Sequence, residues 1–165
     1  MMNLYEKYRP RIKSGDLLAW DYVVPSKLGT IYGYLIQMFT RDRYTHVGIA
    51  LVEDDRVLII EAAPPEIQIS CLSKFIPFYH IPMDIEWTEE HSRILKSRLG
   101  ERYSRWEAVK SYFTSPKQDR YWQCAEFIHW YYKQIGLDYK FGYTPKSVIS
   151  TILQHTGNGI YLINN

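Results

Sequence analysis

Apolar positions form short runs in the first half of the chain and helical stripes in the second. Leu17-Leu18-Ala19-Trp20, entered from Asp16 after a Ser14-Gly15 turn, predicts a short strand. His46 to Val52 is a β-branched and small-residue run, and Val57 to Ala62 resumes it, so the two predict a hairpin over the polar loop Glu53, Asp54, Asp55 and Arg56. After Pro64-Pro65, Glu66 to Ser70 alternates with period two, and Phe78 to Ile81 is a further strand candidate. Ile31 to Phe39 has no breaker except Gly33 and reads as a helix candidate.

Thr88 before Glu89 and Glu90 predicts a capped helix with acids in its first turn, running to Gly100. Ser104 caps a second helix to about Phe113, and 114–121, with Pro116, reads as a loop. Gln123 to Ile135 predicts a helix closed by Gly136. Thr144-Pro145 opens a last helix with proline at its first position, and Gly159 to Ile163 predicts a closing strand. Strands followed by helices predict an α+β fold, an antiparallel sheet packed against a helical half.

Composition narrows the picture. A chain of 165 residues, 46% hydrophobic and 23% charged, fits one globular domain over 1–165 rather than a disordered chain. A net charge of +2 with scattered basic residues gives no reason to expect nucleic acid. The cluster Arg9, Arg11, Lys13 reads as a solvated leading segment, although such a cluster can also touch phosphate or lipid headgroups. Two cysteines do not make a disulfide scaffold. No apolar run approaches the roughly 18 to 20 residues of a membrane span, and the N-terminus lacks the apolar middle of a signal peptide, so a soluble cytoplasmic chain is expected.

Candidate chemistry centres on Cys124. Phe127, Ile128, Tyr131 and Ile135 share its helix face, which puts the cysteine at the N-terminal tip of a buried stripe. The helix dipole and unpaired N–H groups at such a tip favour thiolate, and the same N–H groups suit a developing oxyanion. A buried cysteine is also an ordinary small hydrophobe. Its placement in the first turn, after the polar aromatic loop Arg120-Tyr121-Trp122-Gln123, favours chemistry.

With Val52 opposite Val57, the hairpin register sets Gly48 opposite Glu61 and His46 opposite Ala63. Glu61 is then the diagonal neighbour of His46 at about 7 Å between backbones, within side-chain reach. A carboxylate on one ring nitrogen fixes the tautomer and leaves the other to take a thiol proton. The alternative is that Glu61 has emerged into solvent at the strand end. Tyr44, Gln123 and Asp16 are further candidates for shaping the groove or serving the oxyanion, Asp16 having a structural role by default. His80 reads as half-buried packing, His91 and His129 as exposed, and Cys71 as inert core. No pair of histidines or cysteines has a zinc-ligand spacing, so neither metal nor cofactor is expected.

Gly15-Asp16-Leu17-Leu18, His46-Val47-Gly48-Ile49, Ile60-Glu61-Ala62 and Cys124-Ala125-Glu126-Phe127, with Tyr143-Thr144-Pro145 downstream, resemble the circularly permuted papain-like hydrolases of the NlpC-type superfamily. The likeness is to the bacterial and phage YiiX/YebB-like proteins in particular, and it spans about residues 14 to 163. It implies a permuted papain-like fold, with Cys124 as nucleophile, His46 as general base and Glu61 as its orienting acid. Histidine ahead of cysteine is the permuted order. The implied substrate is a peptide-like amide, cell-wall peptides included; other relatives resemble lecithin:retinol acyltransferases and handle lipid acyl groups, and a non-catalytic binding module could keep the same fold. Ala125 stands where relatives often have serine, and Gln123 does not occupy the position of the papain oxyanion glutamine.

Overall fold

The computed structural model describes residues 4–21, 43–104, 121–140 and 142–164. Its centre is a six-stranded antiparallel sheet in the order β4-β3-β2-β1-β5-β6, from β1 (Leu17–Trp20), β2 (His46–Glu53), β3 (Arg56–Ala63), β4 (Glu66–Cys71), β5 (Phe78–Ile81) and β6 (Tyr161–Ile163). The helices are α1 (Leu4–Tyr8), α2 (Glu89–Lys96), α3 (Cys124–Gln134) and α4 (Pro145–Thr156).

Both faces of the sheet are covered, which is why β1 and β2 read as unbroken apolar runs. One face carries Leu17, Ala19, Val47, Ile49 and Leu51 against Phe127, Ile128, Tyr131 and Tyr132 of α3 and Val148 and Ile152 of α4. The other carries Leu18, Trp20, Ala50, Val57, Ile59 and Phe78 beneath Tyr5 and Ile12 of the leading segment. That segment is therefore not simply solvated: it forms a short helix and covers a sheet face, while Arg9, Arg11 and Lys13 remain exposed.

The β2–β3 hairpin is tighter than its sequence predicts. Glu53 pairs with Arg56, so the connection is Asp54-Asp55 alone, with φ of 45° and 59°. Aspartate tolerates this left-handed region, and two such residues match the twist of the flanking strands. The expected register holds, with Val52 on Val57 and Ile49 on Ile60. Gly48 sits where a Cβ would come within 2.6 Å of Ile59 Cδ1 and 2.8 Å of its Cγ1.

Helix ends follow local chemistry. Thr88 Oγ1 accepts from the His91 N–H, as the cap predicts. α2 stops at Lys96 rather than Gly100, because Gly100 N–H donates to the Ile67 carbonyl and Ile67 N–H to the Glu101 carbonyl, drawing the chain onto β4. α4 begins with Thr144 and Ser147 in a reciprocal capping box and ends at Gly157 with φ of 67°. The closing strand starts at Tyr161, two residues later than expected. The helix expected over 31–39, most of that expected over 104–113, and the loop over 114–121 save Tyr121 lie outside the described residues.

Gly48→Ala tests how tightly the hairpin face is packed. Ile59 is fully buried and has no room to swing away, so the added methyl should cost about 1–3 kcal/mol, read as a lowered denaturant midpoint with unchanged slope.

Candidate functional site

Glu61 lies on β3 opposite Gln68 of the edge strand, on the same face as Ile59. It is buried rather than emerging into solvent. A carboxylate there needs a partner, since desolvation without one costs several kcal/mol. His46, the first residue of β2, supplies it: Nε2 lies 2.6 Å from Glu61 Oε2. β1 fixes the histidine from its other side. Trp20 pairs with His46 in the ladder, Thr45 N–H donates to the Trp20 carbonyl, and the indole packs 5.7 Å from the imidazole, centroid to centroid. The indole is itself anchored by Nε1 donating to the Phe75 carbonyl at 2.7 Å.

Cys124 is the first residue of α3 and is buried. Its thiol lies close enough to the His46 ring to be among the groups that raise the imidazole pKa. With Nε2 turned to Glu61, Nδ1 is the nitrogen left for the sulfur. Burial works to lower the imidazole pKa, but the hydrogen bonds and charges of Cys124 and Glu61 outweigh it and push it up to about 10. His46 is thus held as a cation between two groups that carry or acquire negative charge. Its side chain keeps 20% exposure, against 6% for Glu61, so solvent reaches the pair from the histidine side.

The other candidates are placed differently. Gln123 is the N-cap of α3: its Oε1 accepts from Ala125 N–H at 3.3 Å and its Nε2 donates to the Tyr143 carbonyl at 2.8 Å. It positions the turn that carries the thiol. Tyr44 flanks His46 and meets Tyr79 edge-on at 5.2 Å. Asp16 lies at the far end of β1, about 13 Å of strand from Trp20. There it accepts from the N–H groups of Lys13 and Met83 and from His80, whose Nε2 is 2.8 Å away.

His80 is fully buried rather than half-buried, bonded to Asp16 and, through Nδ1, to Tyr8 Oη at 2.9 Å. His91 and His129 are half-buried rather than exposed, and Cys71 is half-buried at the sheet edge rather than in the core. Sequence reading assigned no role to Trp20, although its ladder partner would have followed from placing β1 beside β2. Among the described residues no group of three or more His, Cys, Asp or Glu is arranged to hold a metal ion, and no helix is long and apolar enough to cross a membrane.

No protein-family model and no curated protein sequence matches this chain. Its fold is similar to that of the metalloprotein YiiX from Escherichia coli O157:H7, known from a crystal structure, with a TM-score of 0.57 over 92% of this chain and 88% of that one at 15% sequence identity. At that identity the likeness establishes the fold alone.

Because the folded His46 value lies above its ordinary 6.5, protonation of that ring stabilises the fold fully below about pH 6.5, and the increment is lost as pH rises towards 10. The gap in unfolding midpoint between wild type and His46→Gln should be widest near pH 6 and shrink steadily by pH 10. A gap that does not vary with pH would contradict the assignment.

Proposed function

We propose that this chain is a cysteine-dependent hydrolase of the permuted papain-like kind, cleaving a peptide or similar amide bond through an acyl-enzyme. The observation that carries the reading is the position of the His46 ring, between the Glu61 carboxylate at 2.6 Å and the thiol of Cys124 at a helix tip.

In this mechanism the Cys124 proton already rests on His46 Nδ1 in the resting ion pair, and the thiolate attacks the carbonyl carbon. Charge developing on the carbonyl oxygen falls near the N–H groups of the first turn of α3. Ala125 N–H is already committed to Gln123 Oε1, so the Cys124 N–H is the nearest donor for the oxyanion. His46 then returns its proton to the leaving amine and the C–N bond breaks. Water, deprotonated by the same ring, attacks the thioester, and collapse of that adduct releases the acid and restores the pair. Glu61 keeps Nε2–H pointed away from the sulfur, as an orienting acid does in related triads. A murein peptide is the leading substrate by analogy with the permuted papain-like hydrolases that the chain resembles.

Labelling with iodoacetamide at neutral pH should modify Cys124 well before Cys71. Glu61→Gln should slow that labelling about tenfold, the equivalent of one pKa unit in the coupled pair. Cys124→Ser should reduce turnover roughly ten-thousand-fold or more. Murein peptides and long-chain acyl esters offered side by side decide the substrate, and turnover of the ester alone would reassign the site to lipid acyl transfer. Equal labelling of both cysteines would sink the catalytic reading.

A further inference from the structure

The thiol–imidazole pair handles any reactive carbonyl and says little about what flanks it. The strand approach to His46 carries a separate device. Arg43 is exposed, three residues ahead of His46, so its backbone lies within about 10 Å of the histidine even on a fully extended chain. Its guanidinium is nonetheless held in place. It lies over the Tyr79 ring at 5.2 Å and the Tyr44 ring at 5.9 Å, and Nη2 donates to Tyr79 Oη at 2.9 Å.

Tyr79 is fixed in turn. It is buried on β5, and its hydroxyl donates to Asp21 Oδ2 at 2.6 Å, just past the end of β1. Burial first, and then the bond to Asp21, raise the phenol above its usual range, so it stays protonated and serves Asp21 as donor and Arg43 as acceptor. The hydroxyl stands between the carboxylate and the guanidinium. Asp21 tempers the positive charge without covering it. A guanidinium has five N–H donors in a rigid fork, and Tyr79 takes one. The remaining donors sit on a cation whose rotamer freedom is already spent, which lowers the entropic cost of ligand binding.

The geometry points to Arg43 as a substrate-binding residue that receives a carboxylate, so that the preferred substrate is a peptide with an acidic group or free C-terminus close to the scissile bond. This rests on the thiol hydrolase reading and narrows its substrate to anionic peptides. Tyr44 and Tyr79 act as the positioning platform. An exposed arginine with a merely structural role would stabilise the Tyr79–Asp21 pair but would not distinguish ligands by charge.

The experiment uses two N-bromoacetyl dipeptides that differ only at the C-terminus, one a free carboxylate and one a carboxamide. The Cys124 thiolate displaces bromide from either, forming a C–S bond, and the rate against reagent concentration yields a half-saturation value and a maximal rate. For the wild-type chain the carboxylate reagent should half-saturate at about tenfold lower concentration, the size expected of a charge-assisted hydrogen-bonded contact. Arg43→Gln should erase that difference by raising the half-saturation concentration of the carboxylate reagent to that of the carboxamide, and Arg43→Lys should retain part of it. Added salt should narrow it in the wild type. Equal half-saturation in the wild type, or a preference that survives Arg43→Gln, would overturn the assignment. If the carboxamide reagent modifies Cys124 no faster than Cys71, the hydrolase reading fails and this one fails with it.

Discussion

A carboxylate buried inside a sheet is the constraint from which the site follows. Glu61 ends a run of apolar strand residues and has only 6% of its side chain exposed, so an ionised oxygen must find a hydrogen-bonding cation within the protein. Among the described residues the neighbouring strand supplies it, in His46. The register that brings His46 there is set a full hairpin away, by Asp54 and Asp55 in left-handed conformation and by Glu53 on Arg56. A slip of one residue would turn His46 to the opposite face. Gly48, pressed against Ile59 with no room for a side chain, shows how closely that face is filled between the turn and the pair.

The thiol arrives by a different route. α3 packs along β2 and β3 through Phe127, Ile128, Tyr131 and Tyr132, and Tyr132 Oη donates to the Gly15 carbonyl at the start of β1. These contacts lie along the length of the helix, yet they determine where its first residue stands. Gln123 completes the placement by tying the helix N-terminus to the Tyr143 carbonyl just ahead of α4. Core packing thus fixes the sulfur, while strand pairing fixes the imidazole. The two meet because both elements share the β2–β3 hairpin as their support.

Much of this was legible in the chain. Hairpin register follows from a period of two and a short polar connection, so the His46–Glu61 diagonal could be read before any coordinates. The first turn of α3 was legible from the stripe beginning at Cys124 and the glycine after Ile135. Less visible were features that depend on contacts distant in sequence. The leading helix carries too few apolar residues to announce itself and is held by Tyr5 on Phe78 and Tyr8 on His80. The early end of α2 comes from backbone bonds to β4, which no local propensity encodes. Gln123 was legible as the start of α3 and as a groove candidate, but not as the cap, because glutamine is not among the preferred caps.

Asp16 and His80 show why a histidine–carboxylate pair does not by itself mark chemistry. Both histidines lie on the same face of the sheet by strand alternation, Leu18 pairing with Gly48 on one side and His80 on the other. Both bond a buried acid through Nε2, at 2.6 and 2.8 Å. The difference lies at the other nitrogen. His80 meets the phenol of Tyr8 and is sealed at 1% exposure, so its ring links three chain segments and has no path to a ligand. His46 meets a thiol at a helix tip and remains open to solvent on one side. The same imidazole–carboxylate bond therefore serves as a fastener at one end of β1 and, in the proposed mechanism, orients the ring beside a thiol at the other, and the partner of Nδ1 decides which.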